Sequence, residues 1–355
     1  MKKVIFISAL AIAAAVSCTK SDIVDTKFNE QVGFETYLGR DAQTKAEVIE
    51  KADLEDFGVY GYYTKNVEYD GTIAANLMVD QEVTKGEDAK WSYSPVKYWT
   101  NENDWYGFLA YAPYSLTTVE KTSEGATYPV VRYEVPQALG SQTDVLYANN
   151  KKSMKKNTVS LVFNHALSRV AINAKAVMYD ATTGQAATST TTQFDNFFTI
   201  KSVSFTGPFN VTGDLNLYSG EWEDEAPATT NPVYNMYTGS LELDDEFHSL
   251  STKTEENKLT VDENYLMMIP TNFGTNKAAL TIVYTITTND VESSDLTKTV
   301  EISNDFAAGY AYAINLVLQL DPSNEITFDV EKVEGWKDAD DTDKDVYGTD
   351  ANTQA

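Results

Sequence analysis

The 355-residue chain carries 53 acidic against 27 basic side chains, a formal net charge of -26. A surface of that sign repels nucleic acid and anionic lipid head groups, so neither is expected as a partner. With 42% hydrophobic residues a large core is available, and 22 tyrosines with abundant threonine lean toward strands over helices.

The first predicted element is an export signal. Lys2 and Lys3 precede an apolar run from Val4 to Val16, broken only by Ser8. That run suits a signal hydrophobic region and is too short to span a bilayer as a helix. Cys18, the single cysteine, follows Ala15-Val16-Ser17 and can close no intramolecular disulfide. The arrangement resembles the lipobox of bacterial lipoproteins, with Ala15 where leucine is usual. The resemblance implies a signal peptide over 1–17 and acylation of Cys18; a free thiol that merely follows a signal is the plainer alternative. Each buried acyl methylene contributes about 0.8 kcal/mol, so several chains on one residue make a stable anchor.

Residues 18–30 read as a polar tether. Alternation then places Val32, Phe34, Thr36 and Leu38 on one face of an extended segment. Gly39-Arg40-Asp41 interrupts it, and a short helix near Lys45–Ala52 is the one helical expectation. Strands are predicted at 57–64, 89–93, 98–99, 106–112 and 128–135, with Pro95 and Pro113 as turn or edge residues. Val145–Tyr147 reads as a brief apolar piece. Four lysines within Lys151–Lys156 mark the sharpest change of composition, and a boundary between domains 31–156 and 157–336 is expected there. Further strands are predicted at 159–163, 169–177, 199–205, 211–217, 259–261 and 265–269. Segments 279–288, 297–302, 310–320 and 326–333 complete the set, with loops at 181–193 and 221–232 and an acidic tail at 337–355. Short strands separated by turn residues predict an all-β fold of two packed β-sandwiches in tandem.

Catalytic chemistry finds little support. The chain has two histidines and no Gly-x-Ser-x-Gly, His-Glu-x-x-His or Gly-rich phosphate loop. His165 falls between two predicted strands and reads as a hydrogen-bonded structural histidine; His248 sits in an acidic stretch. Among 53 acids any two resemble a glycosidase pair, so a solvated acidic face is the simpler reading. Asp341, Asp343 and Asp345 have the alternate spacing of calcium ligands, but Val346 stands where the loop needs glycine. No metal, cofactor or catalytic residue is therefore expected, and the chain is not expected to be an enzyme. The aromatic cluster Trp91, Tyr93, Tyr98, Trp99, Trp105, Tyr106, Phe108, Tyr111 and Tyr114 would stack on sugars if exposed. Its alternate spacing favours packing within a sheet.

The same segments are similar in sequence to the fimbrillin superfamily, the lipoprotein-derived subunits of type V pili. The resemblance rests on the lipobox cysteine, QVGFETYLGRDAQTKA (31–46), FGVYGYYT (57–64), WSYSPVKYW (91–99), WYGFLAYAP (105–113) and QTDVLYA (142–148). It continues through VSLVFNHALSRVAI (159–172), FAAGYAYAINLVLQL (306–320) and ITFDVEKVEGW (326–336). It implies two transthyretin-like β-sandwich domains, export to the outer membrane and polymerisation with other pilus subunits by strand exchange. In that family an arginine-specific protease removes an N-terminal segment. By the same resemblance Arg40 is the processing site and Val32, Phe34, Thr36 and Leu38 form the displaceable strand. Ile326, Phe328 and Val330 lie in the candidate donor strand. Partners implied are other subunits, the outer membrane through lipid, and host protein or glycan. The alternatives are a non-polymerising glycan-binding surface lipoprotein, and an extracellular hydrolase with two convergent carboxylates.

Overall fold

The computed structural model describes residues 30–38, 54–100, 104–123, 126–154, 158–178, 196–252, 264–288, 290–320 and 326–334. Among them are 21 strands in four sheets, one 3-10 turn at Leu139–Ser141 and no α-helix, so the all-β expectation holds. The helix near 45–52, the strand at 259–261, the loop at 181–193 and the acidic tail lie outside the described residues.

The first sheet has seven strands. In spatial order they are β1 (Gly33–Leu38), β9 (Thr158–His165), β8 (Leu146–Met154), β5 (Trp105–Ala112), β2 (Asp56–Lys65), β3 (Met78–Lys85) and β4 (Trp91–Ser92). β1 runs parallel to β9, and the other neighbours are antiparallel. β2 is buried without a break from Phe57 to Tyr62, and β5 from Tyr106 to Ala112. Strands covered on both faces need continuous apolar runs rather than alternation, which is why these two were conspicuous in the sequence. One face contributes Phe57, Val59, Phe108 and Ala110 to a core shared with Val32, Phe34 and Phe163. The opposite face sends Tyr60, Tyr62, Leu109 and Tyr111 into a second core. A Cβ at Gly107 would stand 2.7 Å from the Cβ of Tyr69, so glycine makes room there for the Tyr62–Tyr69 ring stack.

A four-stranded antiparallel sheet faces those tyrosines, in the order β13 (Trp222–Pro227), β12 (Asn210–Asn216), β7 (Ala126–Glu134), β6 (Thr117–Ser123). Tyr60 and Thr118 share a hydrogen bond of 2.8 Å between the two sheets. The third sheet holds β15 (His248–Ser249), β10 (Ser168–Met178), β20 (Tyr310–Leu320) and β21 (Ile326–Glu334), with β16 (Leu266–Met268) also on β10. The fourth holds β14 (Val233–Leu243), β11 (Asn196–Thr206), β17 (Ala278–Thr288), β18 (Val291–Glu292) and β19 (Leu296–Ile302). Val170, Ile172, Ile314 and Leu316 of the third share one core with Phe198, Ile200, Leu280 and Ile282 of the fourth.

Several local expectations change. β8 extends from the apolar piece through Lys151 and Lys152 to Met154, and β9 beyond it pairs with both β8 and β1. The chain passes from the first sheet to the third at Ala166-Leu167, between β9 and β10, and the four-stranded sheet joins strands from both halves of the chain. The stretch 221–232, expected as a loop, contains β13, whose side chains are half-buried or exposed throughout. β3, β6 and β14 also had no counterpart in the sequence reading. β3 buries only Met78 and Val83, so it offers little hydrophobic periodicity to read.

Candidate assembly interface

β1 is the outermost strand of its sheet. Its register with β9 runs from Gly33 opposite Thr158 to Leu38 opposite Phe163. Val32, Phe34 and Thr36 are 0%, 7% and 3% exposed, while Gly33, Glu35 and Tyr37 on the other face are half-buried. The alternation read from the sequence thus corresponds to a real inward face, and Leu38 packs at its half-buried end. The Phe34 ring meets those of Phe57, Tyr93 and Phe108 at 5.7, 5.7 and 5.8 Å. Burying a phenylalanine contributes roughly 1.5–3 kcal/mol, and each favourable ring pair adds about 0.5–1.5 kcal/mol.

The start of β1 is held from its other side as well. Val32 N–H donates to the Lys97 carbonyl at 2.9 Å, and Trp99 N–H donates to that of Glu30 at 3.0 Å. Gln31 and Tyr98 form an antiparallel bridge. The Tyr93 hydroxyl donates to the Val32 carbonyl at 2.6 Å. The sheet therefore curls until the segment after β4 borders the entry of β1. On the outer face the Ser160 hydroxyl donates to a Glu35 carboxylate oxygen at 2.5 Å. Burial, followed by the adjacent Glu35 carboxylate, pushes the Tyr37 hydroxyl above its ordinary pKa. Tyr93 was read in the sequence only as one ring of the aromatic cluster and Ser160 was not singled out, since their bonds to β1 join residues 61 and 125 positions apart.

The candidate donor, β21, is also an outermost strand. It pairs antiparallel with β20, with Ile326, Phe328 and Val330 opposite Leu318, Leu316 and Ile314. β1 and β21 lie in different sheets, so the chain does not bring the two candidate strands together within itself. Cys18 and Arg40 lie outside the described residues. Arg132 and Arg169 lie in β7 and β10, as expected.

The other motifs resolve into packing. Tyr93, Trp99, Tyr106, Phe108 and Tyr111 are buried, Trp91, Trp105 and Tyr114 are half-buried, and Tyr98 alone is exposed. His165 contacts Asp144 at 2.5 Å, and Asp144 also accepts the Val145 N–H. His248 contacts Asp244 at 2.8 Å and belongs to the short strand β15 rather than to a loop. Among the described residues no group of three or more His, Cys, Asp or Glu is placed to hold a metal ion.

A family model for fimbrillin-like proteins matches residues 44–336. The fimbrium subunit Fim1C of Phocaeicola vulgatus is 24% identical over 391 residues, covering 98% of this chain and 99% of that protein. A solved fimbrial protein from Bacteroides vulgatus shares the fold at 20% identity, with a TM-score of 0.61 over 87% of this chain and 100% of that one. The family match takes in every described strand except β1, and on that ground the chain belongs to the fimbrillin-like family.

Proposed function

We propose that this chain is a structural or adhesive subunit of a surface fimbrium, exported as an outer-membrane lipoprotein through Cys18 and joined to other subunits by strand exchange. The placement of β1 carries this reading: it is an edge strand, yet its inward side chains fill an aromatic groove. Loss of β1 opens that groove beside Phe57, Phe108 and Phe163 and leaves β9 with an unpaired edge. An extended strand from another subunit closes both. Backbone hydrogen bonds supply the affinity of such augmentation, and alternate side-chain pockets supply its register.

Arg40 follows closely after β1 and is the processing site in this scheme. The other two arginines lie inside paired strands, where a protease has poor access. The fimbrial names of the similar proteins support the same role. The fimbrillin-like family is one of structural subunits, so no catalytic role is assigned. A glycan-binding lipoprotein that does not polymerise has less support, because its aromatic platform is turned largely into the core.

Intact-mass analysis and N-terminal sequencing of protein from native cells, with a metabolic fatty-acid label, test this. A mature start at Asp41, without lipid and within heat-labile ladders, is the expected result. Acylated Cys18 at the start of every molecule would remove Arg40 from the mechanism and leave an anchor, a tip or a solitary lipoprotein.

A further inference from the structure

β14 is an outermost strand of the fourth sheet, and a cleft of about 340 Å³ lies beside its first half. The described walls come from three separate stretches. Gln137, Ala138 and Leu139 belong to the connection between β7 and β8, Val233 and Asn235 to β14, and Asn264 stands just before β16. These stretches join all four sheets, and clefts between packed units are where small-molecule sites usually form. The aromatic cluster singled out in the sequence takes no part in this lining.

The walls are pinned by hydrogen bonds of their own. Gln137 Nε2 donates to the Val233 carbonyl at 3.2 Å, and Asn264 Nδ2 donates to that of Met236 at 2.8 Å. The Asn264 N–H reaches the Ser251 carbonyl at 2.6 Å. Behind the turn, Gln142 donates to the Pro136 carbonyl at 2.8 Å and accepts the Met267 N–H at 2.7 Å. A carboxamide has two N–H donors and a carbonyl oxygen. One N–H of Gln137 and one of Asn264 are spent on β14, which fixes the plane of each amide and leaves its oxygen for the cleft. Asn235 is exposed, and its amide is open to the same space.

We propose that this cleft binds a neutral saccharide, the end of an uncharged glycan, through the carboxamides of Gln137, Asn235 and Asn264. No lining residue carries a charge, on a chain with a net charge of -26. An ionic ligand would lose hydration there and gain no counter-charge. A wholly apolar ligand would leave the carboxamides without partners. Sugar hydroxyls both donate and accept, so they satisfy an amide oxygen and N–H together. The C–H face of the sugar covers Ala138 and Val233, the latter 45% exposed. The volume is near the lower end of the usual range of about 300–1,000 Å³, which suits a mono- or disaccharide unit. An extended peptide fits less well. The Val233 and Met236 carbonyls that an added strand would use already accept from Gln137 and Asn264. The inference asks nothing of strand exchange and holds for a subunit in a fibre or alone.

An array of neutral and acidic glycans, probed with the full-length chain, tests it. Retention is expected on neutral glycans and is competed by the methyl glycoside of the terminal sugar. Asn235→Ala and Gln137→Leu are each expected to weaken that retention roughly tenfold, the scale of one lost hydrogen bond. Asn235 is a surface residue, so its truncation leaves the urea midpoint unchanged. Retention on acidic glycans alone, or equal retention by both variants and the unsubstituted chain, overturns the proposal.

Side-chain amide NMR of the full-length chain decides the matter should the array stay blank. The methyl glycosides of glucose, galactose, mannose and N-acetylglucosamine are the probes. At least one is expected to shift the amide signals that disappear in Asn235→Ala and Gln137→Leu. No shift with any of the four overturns the inference. A shift produced only by an uncharged extended peptide means that β14 takes a strand instead, and overturns it as well.

Discussion

Lys121 shows how single residues tie this molecule together. Its ammonium lies 2.7 Å from Asp214, 2.6 Å from Asp224 and 3.8 Å from Glu223, linking β6 to β12 and β13 across β7. Burial works against its charge, but hydrogen bonds to Asp214 and Asp224 outweigh that and raise its pKa. The same hydrogen bond, reinforced by charge, holds the Asp224 carboxyl below the usual range. The carboxylate side of the pair therefore stabilises the fold above an ordinary aspartate pKa of about 3.9, and the effect is lost as pH falls through the depressed value. The lysine side is present below about pH 10.4 and is lost as pH rises through the raised value. Exposure of Asp224 and screening by salt keep the contribution small. In Lys121→Met the Asp224 carboxyl is expected to titrate higher, toward the ordinary aspartate range. Carboxyl NMR across pH 2–6 reads this directly, and an unmoved titration would mean that the ion pair does not exist in solution. The sequence, with 53 acids, gave no means of choosing these partners.

Among the elements, β1 was legible and several of its neighbours were not. Alternation at 32–38 survives in the structure because one face of β1 is buried and the other half-exposed. β13 carries no buried side chain, so hydrophobic period gave it no signal. β14 meets β11 with two register shifts, after Ile200 and after Val203, which blur its alternation. Stability of β1 rests chiefly on the Phe34 ring. Truncating a core phenylalanine costs about 3–5 kcal/mol, through lost transfer energy and the cavity left behind. Phe34→Ala in the full chain should accordingly lower the urea midpoint and shed the amide-exchange protection of residues 33–38 before that of β2 and β5. Retained protection of β1 would show that its backbone ladder, and not the ring, secures it.

At the scale of the whole molecule, a tyrosine-lined core joins the two halves. The hydroxyls of Tyr60, Tyr69, Tyr133 and Tyr234 are each pushed up to about 12, in every case chiefly by burial. An unfolded chain releases these protons near pH 10, so it holds fewer protons than the folded one above that value. Stability is thus complete below about pH 10 and falls as pH rises toward 12. Urea midpoints at about pH 7, 8.5 and 11 should show little loss over the first interval and a clear drop over the second. A flat profile would mean that the rings are open to water.

Local chemistry is the part that the sequence determined by itself: strand-forming composition, an alternating inward face at Val32–Thr36, and arginines embedded in strands at 132 and 169. Each is set by neighbours a few residues away, because side chains alternate strictly along any extended segment. The tertiary structure alone decided which strands became edges, that β1 lies parallel to a strand 125 residues distant, and that β7 joins β12 across the middle of the chain. Those pairings depend on contacts between residues far apart, whose formation is governed by packing of the whole core and leaves no periodic trace in either partner.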